Sequence, residues 1–348
     1  MSKVRTRFAV SPTGFLHIGG LRAALFDFLI AKKHGGEFLL RLDDTDQKRE
    51  VAGAEEAILS GLKWAGFLPD RGFQLDGTQD SLFRQSARKE RYLEFAEKLL
   101  ESGAAYYCFC SAERLEEVRE ECRAKKLPPR YDRRCAGIPL EEARERISKG
   151  EKATIRLRLP DDREVVAKDL VRGEVRWQTR DLSDPVLVKS CGLAVYHLAN
   201  AVDDHDHEIS HAIRGEEWLP SLPLHLLLNE ALGFEPPAFA HLPVILNAEG
   251  KKLSKRRDSV AVSDFAAAGI LPEAMINYLA LCGWNPGDGD TREIFSLEDL
   301  IEEFSLERVG KSGAIFDPAK LEDLNAKWIR RLPAEELEAR LREFLGKS

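Results

Sequence analysis

The sequence predicts an α/β fold built on a parallel sheet, with a β-rich stretch set into it and helices after it. Three observations predict this. Strand, helix and strand signals follow one another between Arg7 and Leu42. After about residue 103 the texture shifts to short strands and charged helices. Beyond Val260 the patterns are helical.

Arg7 to Ser11 reads as a short buried strand that ends in the turn signal Pro12-Thr13-Gly14. From Leu21 the apolar residues Leu21, Ala24, Leu25, Phe28 and Leu29 fall on one helical face. Gly35 and Gly36 stop that helix. Glu37 to Leu42 is the next strand and runs into Asp43-Asp44-Thr45-Asp46. A strand–helix–strand unit makes a parallel sheet with a right-handed crossover, and ligands sit at the carboxyl ends of its strands. Ser11 to Gly20 and Asp43 to Asp46 fall at those ends.

Ser86 to Gly103 reads as an amphipathic helix, Tyr106 to Cys110 as a strand, and Glu113 to Lys126 as a charged helix broken by Pro128-Pro129. Thr154 to Leu159 alternates apolar and polar residues, the pattern of a half-buried strand. This middle stretch looks like an insertion with β character. Apolar runs resume from Val186, with Ala194 to Val202, Pro220 to Leu232 and His241 to Leu246. Ser263 to Ala268, Pro272 to Cys282, Leu297 to Phe304 and Pro333 to Leu345 read as helices.

The composition sets outer bounds. A chain of 348 residues with 43% apolar and 32% charged residues can bury cores and is not generally disordered. Six cysteines are too few for a disulfide scaffold, so they are metal ligands or buried thiols. No window approaches the roughly eighteen uninterrupted apolar residues of a membrane span. Neither a signal core nor a transit segment precedes the first strand. A cytoplasmic protein with no membrane partner is expected. The net charge of −7 argues, taken alone, against a surface coated for nucleic acid.

Two segments carry chemistry. Ser11 to Gly20 contains His17-Ile18-Gly19-Gly20 between strand and helix. A helix N-terminus has unpaired N–H groups and a positive dipole end, which suit phosphate. Glycines there let a base or phosphate approach the backbone. Alone, this segment fits an ordinary glycine-containing turn better. Lys251 to Arg257 holds five cations in seven residues. Lysine is a mobile point charge able to follow a phosphate, though a solvated basic loop is an equal alternative.

Together the two segments resemble the paired HIGH and KMSKS signatures of class I aminoacyl-tRNA synthetases. Arg7 to Gly14, Gly35 to Arg41 with Asp44-Thr45-Asp46, Tyr196 to Asn200, Val202 to His205, Ile213 to Leu219 and Gly313 to Asp317 resemble glutamyl-tRNA synthetases in particular. The resemblance covers essentially the whole chain. It implies a Rossmann-type catalytic domain (residues 1–102 and 191–255) and an inserted zinc-bearing acceptor-binding domain (103–190). A helical stem-contact domain (256–330) and the start of an anticodon-binding helical region (331–348) would follow.

For glutamate the resemblance implies Arg7, Ala9, Ser11, Asp43, Tyr196, Asn200 and Arg214, with Arg7 gripping the side-chain carboxylate and Arg214 a second cation. A planar guanidinium suits bidentate carboxylate recognition. Asp43 stands where the family usually has Glu, which keeps the charge that would hold the substrate ammonium but shortens its reach. Val10 replaces a common Pro. For ATP it implies His17, Gly19, Gly20, Glu217, Trp218, Leu246, Lys252 and Lys255, and it marks His17, Lys252 and Lys255 as catalytic. Mg²⁺ would share the phosphate charge. The implied reaction forms glutamyl-adenylate and then charges the terminal adenosine of tRNA(Glu), by a monomeric enzyme.

Cys108-x-Cys110 lies on a strand-like segment, where side chains two apart share a face, and Tyr131-x-x-x-Cys135 follows. Three thiolates across one insertion suit structural zinc. Family members bind zinc at the matching insertion, and here Tyr131 or water would be the fourth ligand. The chain stops where relatives continue into an anticodon-binding region, so it is expected to be truncated or naturally short. A glutamyl-queuosine tRNA(Asp) synthetase is the alternative enzyme, and Leu306 to Arg330 disfavours it. A non-catalytic tRNA-binding relative is the alternative of another class, and His17, Lys252 and Lys255 argue against it.

Overall fold

The middle of the first strand is buried because a second lies parallel to it and a helix covers it. The computed structural model describes residues 3–46, 49–73, 80–253 and 260–346. It opens with β1 (Arg5–Val10), α1 (Ile18–Lys33), β2 (Glu37–Leu42), α2 (Ala54–Trp64) and β3 (Arg71–Gly72). β1 and β2 pair in parallel from Arg5↔Glu37 to Val10↔Leu42, and β3 joins β2 in parallel. The near-continuous apolar run Phe38-Leu39-Leu40 is what a parallel strand covered on both faces requires.

α1 departs from the expected single apolar face. Its buried residues run around the helix, including Phe26 and Ile30 opposite the predicted stripe. The far side is covered by the C-terminal helices. Phe26 meets Phe304 with ring centroids 4.6 Å apart. Gly36 allows the chain to re-enter the sheet. A Cβ built there would lie 1.9 Å from the carbonyl oxygen of Val4, so only glycine fits.

The middle stretch comprises α3 (Lys89–Glu101), β4 (Ala105–Cys108), α4 (Ala112–Ala124), α5 (Leu140–Ser148), β5 (Thr154–Leu157), β6 (Glu164–Asp169), β7 (Gly173–Gln178) and β8 (Val186–Val188). Its strands are antiparallel, in a β4-β5-β8 sheet and a β6-β7 hairpin. The alternation expected for Thr154 to Leu159 breaks at Arg156, which is buried. Its guanidinium lies over the Tyr131 ring and donates to the Asp184 carbonyl at 2.8 Å. The stem packs against apolar surface while the head finds partners. Helices α2 and α5 were not anticipated.

The chain then returns with α6 (Tyr196–Asp206), β9 (His211–Gly215), α7 (Leu222–Leu232), β10 (Ala238–Leu242) and β11 (Ile245–Leu246). β9 and β10 are parallel. Ser210 N–H donates to the Arg5 carbonyl at 2.9 Å, which sets β9 beside β1. The C-terminal part has α8 (Val262–Ala267), α9 (Pro272–Leu281), α10 (Leu297–Glu303), β12 (Ala314–Ile315), α11 (Pro318–Ile329) and α12 (Ala334–Gly346). β12 pairs with β11, so this helical part is stitched to the sheet end. Among the described residues no helix is long and apolar enough to cross a membrane.

Gly36→Ala is expected to destabilise the protein by more than about 2 kcal/mol, because the added methyl meets fixed backbone. Urea unfolding measures this, and a midpoint equal to the parent's would contradict the close approach.

Candidate active site

The carboxyl ends of β1, β2 and β9 open into a cavity of about 470 Å³. Of the predicted residues, Arg7, Ala9, Ser11, His17, Gly19, Gly20, Asp43, Tyr196, Arg214, Glu217, Trp218 and Lys252 line it. Asn200 and Leu246 are not among its lining residues. Lys255 lies outside the described residues. Asn200 is one turn along α6 from Tyr196, and its buried Nδ2 has no hydrogen-bond partner among the described residues. Leu246 bridges to Lys252, so it places that lysine.

His17 is the N-cap of α1. Its Nδ1 accepts the Gly20 N–H at 3.0 Å, which leaves the neutral ring's proton on Nε2. A Cβ on Gly19 would crowd this ring at 3.1 Å. The distant second segment is brought to the same place by backbone. Ile18 N–H donates to the Val260 carbonyl and Val262 N–H to that of Leu16, both at 3.0 Å. Lys252 Nζ lies 3.2 Å from Glu217 Oε1. The Tyr196 and Trp218 rings pack with centroids 4.5 Å apart.

Beneath the cavity lies a buried charge cluster that the sequence reading did not assign. Arg7 donates from Nε and Nη2 to Asp204 at 3.0 and 3.2 Å. Arg41 donates to Asp43 at 2.7 and 3.3 Å and to Asp204 at 2.6 Å. Asp203 receives Arg88 at 2.8 Å, Gln85 at 2.8 Å and the Tyr92 hydroxyl at 3.0 Å. Burial would raise Asp204, yet the arginines Arg7 and Arg41 hold it well below the usual carboxylate range. Burial wins at Asp203, which is pushed up to about 6.

Two of the predicted side chains are already engaged within the protein. The Arg7 fork, expected to clasp substrate, is engaged by Asp204 through two nitrogens, so only Nη1 lies outside that pair. The Asp43 carboxylate turns back to Arg41 with both oxygens. With one methylene fewer than Glu, it reaches its own strand's arginine rather than standing clear. Arg214 is differently placed. Nη1 donates to the Tyr196 hydroxyl at 3.2 Å, while Nη2 is buried with no hydrogen-bond partner among the described residues. Burial pulls its guanidinium down from its ordinary range. A carboxylate in the cavity would satisfy that orphan donor. Arg22, also unassigned by sequence, lines the cavity. It donates to the carbonyls of Cys282 and Pro243, tying α1 to both later parts of the chain.

Away from this cavity, the Cys108, Cys110 and Cys135 sulfurs lie within 4.8 Å of one another. Strand β4 ends at Cys108, so Cys110 joins through the following turn rather than by strand alternation. The Tyr131 hydroxyl is 3.3 Å from Cys108 Sγ and 3.4 Å from Cys110 Sγ.

A parallel-sheet site with a histidine-capped helix N-terminus, closed by a lysine-bearing return segment, defines a class I aminoacyl-tRNA synthetase. Residues 3–323 match the family model described as tRNA synthetases class I (E and Q), catalytic domain. The glutamate–tRNA ligase of Finegoldia magna is 48% identical over 99% of this chain and 72% of its own length. That of Alkaliphilus metalliredigens is 50% identical over 97% of this chain and 69% of its own length. A crystal structure of a glutamate tRNA ligase from Elizabethkingia meningosepticum, in complex with its amino acid, superposes with a TM-score of 0.90. It is 39% identical over 99% of this chain and 73% of that one. The chain belongs to the glutamate–tRNA ligase family of class I synthetases.

Arg41→Ala would leave the Asp43 and Asp204 carboxylates short of a buried partner, at a cost of about 3–5 kcal/mol. Urea unfolding reads this directly. A loss below about 1 kcal/mol would mean that the cluster does not hold these strands together.

Proposed function

We propose that this protein activates L-glutamate with ATP to glutamyl-adenylate and transfers the glutamyl group to the 3′-terminal adenosine of tRNA(Glu). The observation that carries this is the pair of buried arginines, Arg7 and Arg214, lining one cavity with the His17-capped helix N-terminus. Two fixed cations select a side-chain carboxylate, because a neutral amide would leave buried charge unpaired. The family's glutamate–tRNA ligases, matched over nearly all of this chain, support this reading over tRNA(Asp) modification.

Arg7 Nη1 and Arg214 Nη2 each supply one bond to the glutamate side chain. Ser11, Ala9, Tyr196 and Asn200 line or flank the rest of the amino acid. Asp43, tied to Arg41, adds negative charge near the ammonium rather than a long direct arm. Gly19, Gly20 and the His17 imidazole face the ATP phosphates, where the α1 dipole favours anions. Glu217, Trp218 and Leu246 lie toward base and ribose. Lys252 leaves Glu217 for the phosphates when ATP binds, and Lys255 is assigned with it. Mg²⁺ bound to ATP would share the charge of the phosphates.

The glutamate α-carboxylate attacks the α-phosphorus in line, one P–O bond forms, and pyrophosphate leaves with its bonding electrons. The protein's part is to align the ends and stabilise charge on the phosphoryl oxygens. The terminal 2′-hydroxyl of tRNA then attacks the glutamyl carbonyl and AMP leaves.

Residues 1–102 and 191–255 serve as the catalytic domain and 103–190 as an acceptor-end insertion. Residues 256–330 serve as a stem-contact part and 331–348 as the start of an anticodon-binding region. Change of sheet type supports the first boundary. Cys108, Cys110, Cys135 and Tyr131 would hold zinc. Tetrahedral Zn–S bonds of about 2.3 Å put sulfurs roughly 3.8 Å apart, and Cys110 and Cys135 are 3.7 Å apart. The ion would cross-link β4 to the turn after α4.

In pyrophosphate exchange with tRNA(Glu) present, Arg7→Ala should lower kcat/KM for glutamate by about 100-fold while ATP binding persists. Exchange at the parent rate would refute the side-chain clamp. Protein purified without chelators should carry about one equivalent of zinc, and Cys135→Ser should lose it. Less than about a tenth of an equivalent in the parent would refute the metal assignment.

A further inference from the structure

Asp169 ends β6 and faces into the start of the β6–β7 turn. Its Oδ1 accepts the N–H groups of Val171 at 3.0 Å, Arg172 at 2.8 Å and His241 at 3.2 Å. Its Oδ2 lies 2.6 Å from His241 Nδ1. Both side chains are fully buried. On its other edge, His241 Nε2 receives the Nε–H of Arg214 at 3.0 Å.

The proton positions follow from donor chemistry. Arg214 Nε can only donate, so His241 Nε2 carries no proton. The imidazole proton is therefore on Nδ1 and is given to Asp169. Burial pulls His241 down, in keeping with a neutral ring. Burial would raise Asp169, but its bonds to His241 and to backbone N–H groups outweigh that and keep it ionised. A carboxylate thus acts on a guanidinium across a neutral ring. With Nε held by His241 and Nη1 by Tyr196, the plane of Arg214 is set and Nη2 is the edge left for a ligand.

We propose that Asp169 and His241 are positioning residues for glutamate recognition, holding Arg214 so that Nη2 meets the substrate's side-chain carboxylate. This rests on the assignment of Arg214 to that carboxylate. A guanidinium already held on two sides loses little freedom on binding, and preorganised donors favour the ligand for that reason. Asp169 comes from the middle antiparallel stretch, and β9 and β10 bring the other two residues. The same turn grips the site a second time, because Arg172 donates to the His241 carbonyl at 3.2 Å and pairs with Glu216. Glu216 in turn accepts the Val244 N–H at 2.8 Å. Amino-acid selection is therefore anchored outside the parallel sheet.

Three substitutions test this in pyrophosphate exchange with tRNA(Glu), glutamate and ATP. D169N keeps the volume and the turn but can place an amide donor against His241 Nδ1. That reverses the tautomer and sets Nε2–H against Arg214 Nε–H. H241N keeps an amide where Nδ1 stood and loses the bond to Arg214. H241Q places an amide oxygen where Nε2 stood. D169N and H241N should each raise the glutamate KM about tenfold, the loss of one charged hydrogen bond. The ATP KM should stay near the parent's, and H241Q should recover most of the affinity for glutamate. A parent-like glutamate KM in D169N and H241N would overturn the proposal. So would equal rises in both KM values with H241Q no better than H241N, which is a structural effect. R214A separates the two levels. An unchanged glutamate KM in R214A refutes the Arg214 assignment itself, whereas a raised one beside a silent D169N refutes the relay alone. If H241N fails to fold, D169N and H241Q decide between the same outcomes.

Discussion

Charge cannot be buried in protein without partners, and this molecule buries Arg7 and Arg41 with Asp43, Asp203 and Asp204 at its cavity. Asp204 joins Arg7 of β1 to Arg41 of β2. The adjacent Asp203 turns the other way to Arg88, Gln85 and Tyr92. One dipeptide on α6 thereby fixes that helix against two strands and against α3. Tyr196, Asn200 and Asp204 are spaced by four residues and share a helix face. Anchoring Asp204 on the arginines fixes the face that carries Tyr196 into the cavity lining. The placement of the proposed amino-acid subsite is a consequence of that electrostatic constraint.

The end proposed for the nucleotide is assembled by backbone instead. His17 and Val260 are far apart in sequence, yet a two-bond bridge brings the return segment against the start of α1. Backbone bonds hold position whatever the side chains do, so Lys252 can exchange Glu217 for a phosphate without disturbing the bridge. The contrast suits the chemistry. On the proposed assignment, the end that would discriminate a side chain is charge-locked, and the end that would follow a moving phosphate carries an exposed, long-stemmed lysine.

The overall charge of −7 excluded less than it suggested. Acidic residues on the outer helices pair locally, as Glu116 does with Arg119 and Glu94 with Lys98. Such exposed pairs contribute little to stability. What a phosphate or carboxylate meets is the local arrangement, and at the cavity that arrangement is cationic. Binding to nucleic acid likewise depends on where phosphates are met rather than on a sum over the chain.

The sequence by itself determined the parallel-sheet core, the helix opened by His17, the middle β character and the family. Each of these rests on local pattern: apolar runs, glycine punctuation, ordered motifs. The elements it missed include the short helices α2 and α5 and the β6–β7 hairpin. Twelve of the residues it named line the cavity, because those belong to motifs. It assigned no role to Arg41, Asp203, Asp204, Asp169 or His241, although Arg41 and the aspartate pair stood inside quoted segments. Arginine at a strand end and aspartate in a helix read as surface residues until a partner distant in sequence is known. Only the tertiary structure decided that Arg7 spends its fork on Asp204, that Asp43 turns back to Arg41, and that Arg214 keeps an orphan nitrogen. For Arg7 the reason is that a hydrogen bond between residues nearly two hundred positions apart has no local signature, and for Asp43 and Arg214 it is that the burial of a charged group is set by elements packed from elsewhere in the chain.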